Sequence, residues 1–152
     1  MIVNNLNVAK NIEKYSLQLQ KLLEAPSIKY SNWTQVNRGG LNNAAGVYHF
    51  YERIDEAVLS LYVGKAGFGG SNWNLYKRLS QHFQPSQANA LIGKIKKSTG
   101  GTPLEIKESL CTREVYLQWL VISNIPSENL ESELVWSECF CKSILTPRYT
   151  NA

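Results

Sequence analysis

The sequence predicts a small domain of mixed helix and strand, α/β in content and α+β in the order of its elements, on three observations. Two neighbouring runs, GVYHFYER and AVLSLYVGKAG, are rich in β-branched and aromatic residues and are joined by a polar turn at Asp55 and Glu56. That pattern marks a β-hairpin. A later run, VYLQWLVIS, is apolar and β-branched enough to be the central strand of a small sheet. The segments around these three runs place their apolar residues at helical spacing.

In chain order, the first helix is expected over residues 8–24, where Val8, Ile12, Leu19, Leu22 and Leu23 fall near one face and Pro26 closes the segment. Lys29 to Asn43 reads as an irregular lead-in, with turns at the Gly39-Gly40 and Asn42-Asn43 pairs. The hairpin begins at Gly46. After it, Gly67, Gly69 and Gly70 interrupt regular structure, and Ser71 or Asn72 offers an N-cap to a helix carrying Leu75, Leu79 and Phe83. ALIGKIKKSTGG follows as a short basic helix that ends at Gly100, with a turn at Pro103 before the third strand. The last helix lies in IPSENLESELVWSECFCKSIL, capped by Ser127 and carrying Leu130 and Leu134. The predicted order is helix, strand, strand, helix, helix, strand, helix, then the tail TPRYTNA.

The totals restrict function. A chain of 152 residues fits one domain with a real core. No run reaches the ~18 apolar residues of a membrane helix, and the first residues lack the apolar centre of a secretory signal, so a cytoplasmic location and no membrane partner are expected. Cys111, Cys139 and Cys141 form no CxxC pair, which argues against a disulfide framework or a zinc knuckle. The net charge of +4 and pI near 9.0 suit a polyanionic partner without demanding one. Their distribution says more: Lys65, Lys77, Arg78, Lys94, Lys96 and Lys97 crowd the middle of the chain, whereas Glu128, Glu131, Glu133 and Glu138 crowd one late segment. The first cluster suits phosphates and the second a cation. The glycine-rich GKAGFGG gives neither GK[ST] nor GxGxxG, so nucleotide binding has little support.

Four short signals occur in one order: Gly46-Val47-Tyr48 on the first strand, Tyr62-Val63-Gly64 on the second, Arg78 with His82 four residues later, and Glu131 in an LExxLV context. Together they resemble the GIY-YIG endonuclease family, over the span from Gly46 to the C-terminus. The YVGKA form is most similar to some type II restriction endonucleases of that family, and TPRYTN is similar to the end of the module in excision-repair incision proteins. The resemblance implies a nuclease domain over 46–152, with residues 1–45 as an N-terminal helix and lead-in extension to one compact unit. It implies a three-stranded antiparallel sheet flanked by helices. It further implies a metal-dependent endonuclease that hydrolyses DNA phosphodiester bonds to 5′-phosphate and 3′-hydroxyl ends.

The chemistry can be derived beside the name. In-line phosphodiester hydrolysis needs an activated water, cationic stabilisation of the crowded anionic state and help for the leaving oxygen. Glu131 would supply a carboxylate for one Mg²⁺ (or Mn²⁺) per active site, a hard ion that takes oxygen ligands and retains several waters. Tyr48 would act as general base or orient the attacking water. With an unperturbed pKa of about 10 it requires cationic neighbours, and Lys65 is the candidate for that role. Tyr62 would share its face of the hairpin. Arg78 would engage two phosphate oxygens with its planar fork, and His82, one helical turn further, would bond to Tyr48 or the phosphate and pass a proton. Each residue also has a plainer reading: core tyrosines, a packed histidine near a helix end, a solvated helix glutamate. A late asparagine often supports the site in the family; Asn151 is the candidate here, with Tyr149 packing there as the alternative.

The expected partner is DNA, most simply a duplex. Lys94, Lys96 and Lys97 would track its phosphates and Lys77 would add another such contact. Arg38 is a further DNA-binding candidate, since sequence readout would come from outside the minimal core. Cutting both strands requires two active sites and therefore a homodimer. Alternatives are a non-catalytic nucleic-acid-binding module on the same scaffold, a repair or structure-specific nuclease, and an interaction protein with an accidental motif set.

Overall fold

The computed structural model describes residues 5–35, 40–68 and 74–150. The chain builds a four-stranded antiparallel sheet with helices on both faces, in the spatial order β1-β4-β2-β3. Helix α1 runs Asn5–Glu24 and stops before Pro26, as expected of a residue that cannot continue a helix. Strand β1 is only Ile28–Lys29, paired to β4 through Ile28↔Leu117 and Lys29↔Tyr116. A 3₁₀ helix, Tyr30–Gln35, follows where an irregular lead-in was expected. Two residues are too few to carry a period, so this fourth strand left no pattern in the sequence.

Strands β2 (Ala45–Ile54) and β3 (Ala57–Ala66) form the predicted hairpin around Asp55 and Glu56. Asp55 takes a left-handed conformation, φ 56°, which aspartate tolerates better than most residues. Between Phe50↔Tyr62 and Tyr51↔Ser60 the register slips, leaving Leu61 as an extra residue on β3. Consecutive Leu61 and Tyr62 both enter the same buried cluster, an outcome that strict alternation forbids and a bulge permits.

Helix α2 (Leu75–Gln81) is capped by Asn74, whose side chain accepts the Lys77 N–H at 2.9 Å; Ser71 and Asn72 lie outside the described residues. Helix α3 (Leu91–Thr99) ends at Gly100 with φ 77°, as its glycine pair suggested. Where a turn was expected, Pro103 opens helix α4 (Pro103–Thr112): Thr102 caps the Glu105 N–H, and proline at the first turn loses no helical hydrogen bond. Strand β4 (Val115–Ser123) lies inside the sheet between β1 and β2. Helix α5 spans Leu130–Leu145, and Ser127 contributes its carbonyl to the Leu130 N–H rather than a side-chain cap.

Alternation along the strands separates two cores. Tyr48, Phe50, Tyr62 and Leu117 face α2, α3 and α4, joined by Tyr30, Leu41 and Ala44 from the lead-in. Val47 and Val63 face α1 and α5 through Leu19, Leu22 and Cys141. Among the described residues no helix is long and apolar enough to cross a membrane.

Candidate active site

The edge strand β3 decides where a cleft forms. Its outer side is covered at one end by the C-terminal segment, whose Arg148 and Tyr149 N–H groups donate to the Ser60 and Leu61 carbonyls. Beyond that point a cleft of about 590 Å³ is lined by Tyr48, Tyr62, Arg78 and Gln81 from one face of the sheet and by Lys65, Glu131 and Glu138 from the other. Gln87 and Asn89, from the connection between α2 and α3, complete the wall.

Both motif glycines serve close approach. A Cβ on Gly64 would sit 2.4 Å from the Tyr48 hydroxyl oxygen and ring, so the absence of a side chain is what lets Tyr48 lie across β3 toward the cleft. A Cβ on Gly46 would sit 1.9 Å from the Leu120 carbonyl oxygen, where the β2–β4 register slips and the two backbones converge. Tyr48 and Tyr62 then stack on one face, ring centroids 6.3 Å apart.

His82, the C-terminal cap of α2, is fully buried and does not line the cleft. Its Nδ1 accepts the Leu91 N–H at 2.9 Å, and its Nε2 lies 2.7 Å from the Tyr48 hydroxyl oxygen. Burial, reinforced by the Arg78 charge, holds the His82 pKa well below the ordinary histidine value. A neutral ring whose Nδ1 is an acceptor carries its proton on Nε2. His82 therefore donates to Tyr48, which does not use its own hydroxyl proton in this bond and, itself fully buried, forms part of the cleft wall. The alternative contact, His82 to a phosphate, is excluded by its burial and by the engagement of both ring nitrogens.

Arg78 is half-buried, with its guanidinium close enough to the Tyr48 and Tyr62 hydroxyls to interact with both. Desolvation works against its charge, but the two hydroxyls outweigh it and raise its pKa. For Tyr48, burial is the largest influence and pushes the pKa well up; Tyr62 and Glu138 add to this, and Arg78 opposes it. Lys65, expected to be the cation at Tyr48, pairs in register with Val47 and so points to the opposite face, where its Nζ meets Glu131 Oε1 at 3.3 Å. Arg78 is the cation that acts on Tyr48.

Glu131 sits at the mouth, its side chain 67% exposed, with Oε2 near the Gly67 backbone. Glu138, seven residues later and two turns along the same face, is only 13% exposed and near enough to influence Tyr48. Its pairing with Lys142, 3.5 Å away, is one helical turn long. The heptad spacing from Glu131 was the available signal for Glu138; Gln81, Gln87 and Asn89 carried none. Among the described residues no group of three or more His, Cys, Asp or Glu side chains is placed to hold a metal ion. Glu131 and Glu138 offer hard oxygen donors, which fit Mg²⁺ or Mn²⁺ if substrate oxygens and water complete the shell.

Of the expected DNA contacts, Lys77, Lys96 and Lys97 are exposed and Lys94 is half-buried, on α2 and α3. Arg38 and Asn151 lie outside the described residues. Tyr149 is buried with Ile95, Ile106 and Leu110 and lines a different depression, so it does not take the late asparagine's place in the cleft. No family model, curated protein or solved structure matches this chain.

Proposed function

We propose that the cleft is the active site of a metal-dependent DNA endonuclease of the GIY-YIG kind, hydrolysing phosphodiester bonds to 5′-phosphate and 3′-hydroxyl ends. The observation that carries this reading is the convergence of Tyr48, Tyr62, Arg78, Glu131 and Glu138 on one cleft, with the Tyr48 oxygen held between His82 and Arg78.

Arg78 binds a non-bridging phosphate oxygen through the guanidinium donors not directed at the tyrosines, and stays charged at any working pH. Tyr48 holds the attacking water through the hydroxyl proton that it does not use toward His82. In the metal-free protein Tyr48 is a neutral hydroxyl, since burial raises its pKa. Added positive charge in the cleft moves it toward the phenolate, which accepts a proton and which His82 and Arg78 stabilise as donors. A divalent cation held by Glu138, with Glu131 at the rim, would supply that charge and stabilise the anionic transition state. Lys77, Lys94, Lys96 and Lys97 bind neighbouring phosphates of a duplex, and cutting both strands would use a homodimer. A restriction or repair role is equally compatible with these residues.

The test is relaxation of supercoiled plasmid with and without Mg²⁺, using the wild type, Glu131→Ala and Glu138→Ala. Nicking is expected only with metal, lost by about 100-fold or more in Glu138→Ala and reduced less in Glu131→Ala. Equal DNA affinity in all three proteins with no nicking by any would replace the enzyme with a nucleic-acid-binding module.

A further inference from the structure

The Arg78 guanidinium has a third partner besides the two tyrosines. Its Nη1 lies 2.6 Å from Gln81 Oε1, at the last residue of α2, and Gln81 itself lines the cleft. Arginine has donors only, so the Gln81 atom facing it must be the carbonyl oxygen, and this settles the amide's orientation on chemical grounds. The Gln81 NH₂ group is then turned away from Arg78. We infer that Gln81 is a positioning residue: its carbonyl holds the Arg78 fork against Tyr48 and Tyr62, while its NH₂ group gives the cleft a neutral donor for a phosphate oxygen.

Physical reasoning supports a division of labour between the two ends. An arginine side chain loses considerable rotamer freedom when its fork is held, and a third acceptor on the side away from the tyrosines restricts the remaining rotation about the guanidinium. The spacing is local to one turn of α2, residue i to i+3, so the restraint forms with the helix and needs no substrate. The helix itself is held at both ends, by the Asn74 cap and by the His82 bond to Leu91. Arg78 thus enters the Michaelis complex already ordered, which places the effect of Gln81 on turnover more than on binding.

This inference rests on the nuclease reading for its kinetic consequence, but not for its structural one, and the experiment separates them. The guanidinium ¹⁵N signals of Arg78, assigned with Arg78→Lys, report its rotation independently of any activity. Wild type should show hindered rotation. Gln81→Ala leaves the two tyrosines in place, so it should show faster but still restrained rotation and, in the plasmid assay, a kcat reduced about five- to tenfold with a smaller rise in KM from the lost NH₂ donor. Gln81→Glu keeps the acceptor and replaces the donor with a charge, so rotation should stay hindered while KM for DNA rises. Unchanged Arg78 signals in Gln81→Ala would overturn the positioning role whether or not the protein nicks DNA. A folded wild type with hindered Arg78 that fails to nick would sink the nuclease reading and leave the Gln81–Arg78 restraint standing.

Discussion

The two histidines of this chain are both buried, one on each face of the sheet, and they end on different kinds of partner. His49 lies against the α1 side: Nδ1 donates to Gln118 Oε1 at 2.9 Å and Nε2 is 2.9 Å from the Ser60 hydroxyl. Gln118 passes the network on to the Leu23 and Ala25 carbonyls at the end of α1. Every group there is satisfied by the fold itself. His82 is equally satisfied at Nδ1 by a backbone N–H, but its Nε2 ends on Tyr48, which lines a cleft. A closed network stabilises; one that terminates at a cleft also sets the chemistry of the last group in it.

The strongest way to break this contrast is Tyr48→Phe. It removes one hydroxyl without changing shape, and metal-dependent nicking should fall about 100-fold or more. The buried His82 Nε2–H is left unpaired, so the melt should also show about 1–3 kcal/mol lost. Nicking at the wild-type rate would remove Tyr48 from the mechanism. Next in size is the paired experiment His82→Ala and His49→Ala. Each should destabilise by about 1–3 kcal/mol through orphaned partners, but only His82→Ala should lower nicking per folded molecule, by about tenfold or more. Similar rates for both variants would mean that His82, too, is purely structural.

Gly64→Ala sharpens the same distinction from the backbone side. The new methyl would occupy space now filled by the Tyr48 hydroxyl, so Tyr48 must shift, with about 1–3 kcal/mol lost and nicking reduced. A high-resolution structure of the variant with Tyr48 in place would contradict this. The smallest effect is in pH. Both histidines have folded pKa values lowered by burial, below the 6.5 of the unfolded chain. The unfolded state therefore binds protons first as pH falls. Stability is fully present above about pH 6.5 and declines below it, by up to about 1.4 kcal/mol per pH unit for each histidine until its folded pKa is reached. Denaturant midpoints between pH 8 and 5 should fall, and the acid slope should lessen in His49→Ala; an unchanged slope would mean that His49 titrates normally in the fold.

Much of the architecture was legible before any coordinates, because long periodic segments announce themselves. The hairpin, the apolar β4 run and the stripes of α1, α2 and α5 all follow from spacing. The misses were short or ambiguous. Ile28 and Lys29 form a strand only because β4 offers them a partner, and Thr102-Pro103 reads as a turn or as a helix start until the residues after it are placed. The tyrosines, Arg78 and Glu131 were legible as a set, whereas Lys65 was misjudged. Lys65 stands three residues from Tyr62, so alternation along β3 already turns it to the other face; the structure shows that the strand keeps its register to Ala66, with Lys65 opposite Val47 and no twist that brings it back to Tyr48.

Residue types and their local periods alone determined that the chain makes a hairpin followed by helices, that two glycines flank two tyrosines, and that an arginine and a histidine share one helical turn. Tertiary structure alone decided that Tyr48 crosses β3 over Gly64, that Leu91 makes His82 a donor, that Lys65 answers Glu131 and Arg78 answers the tyrosines, and that Glu138 lies deeper than Glu131. The reason is one of range. Periodicity is a property of neighbours in sequence, but the charge, protonation and exposure of a group depend on what long-range packing brings beside it.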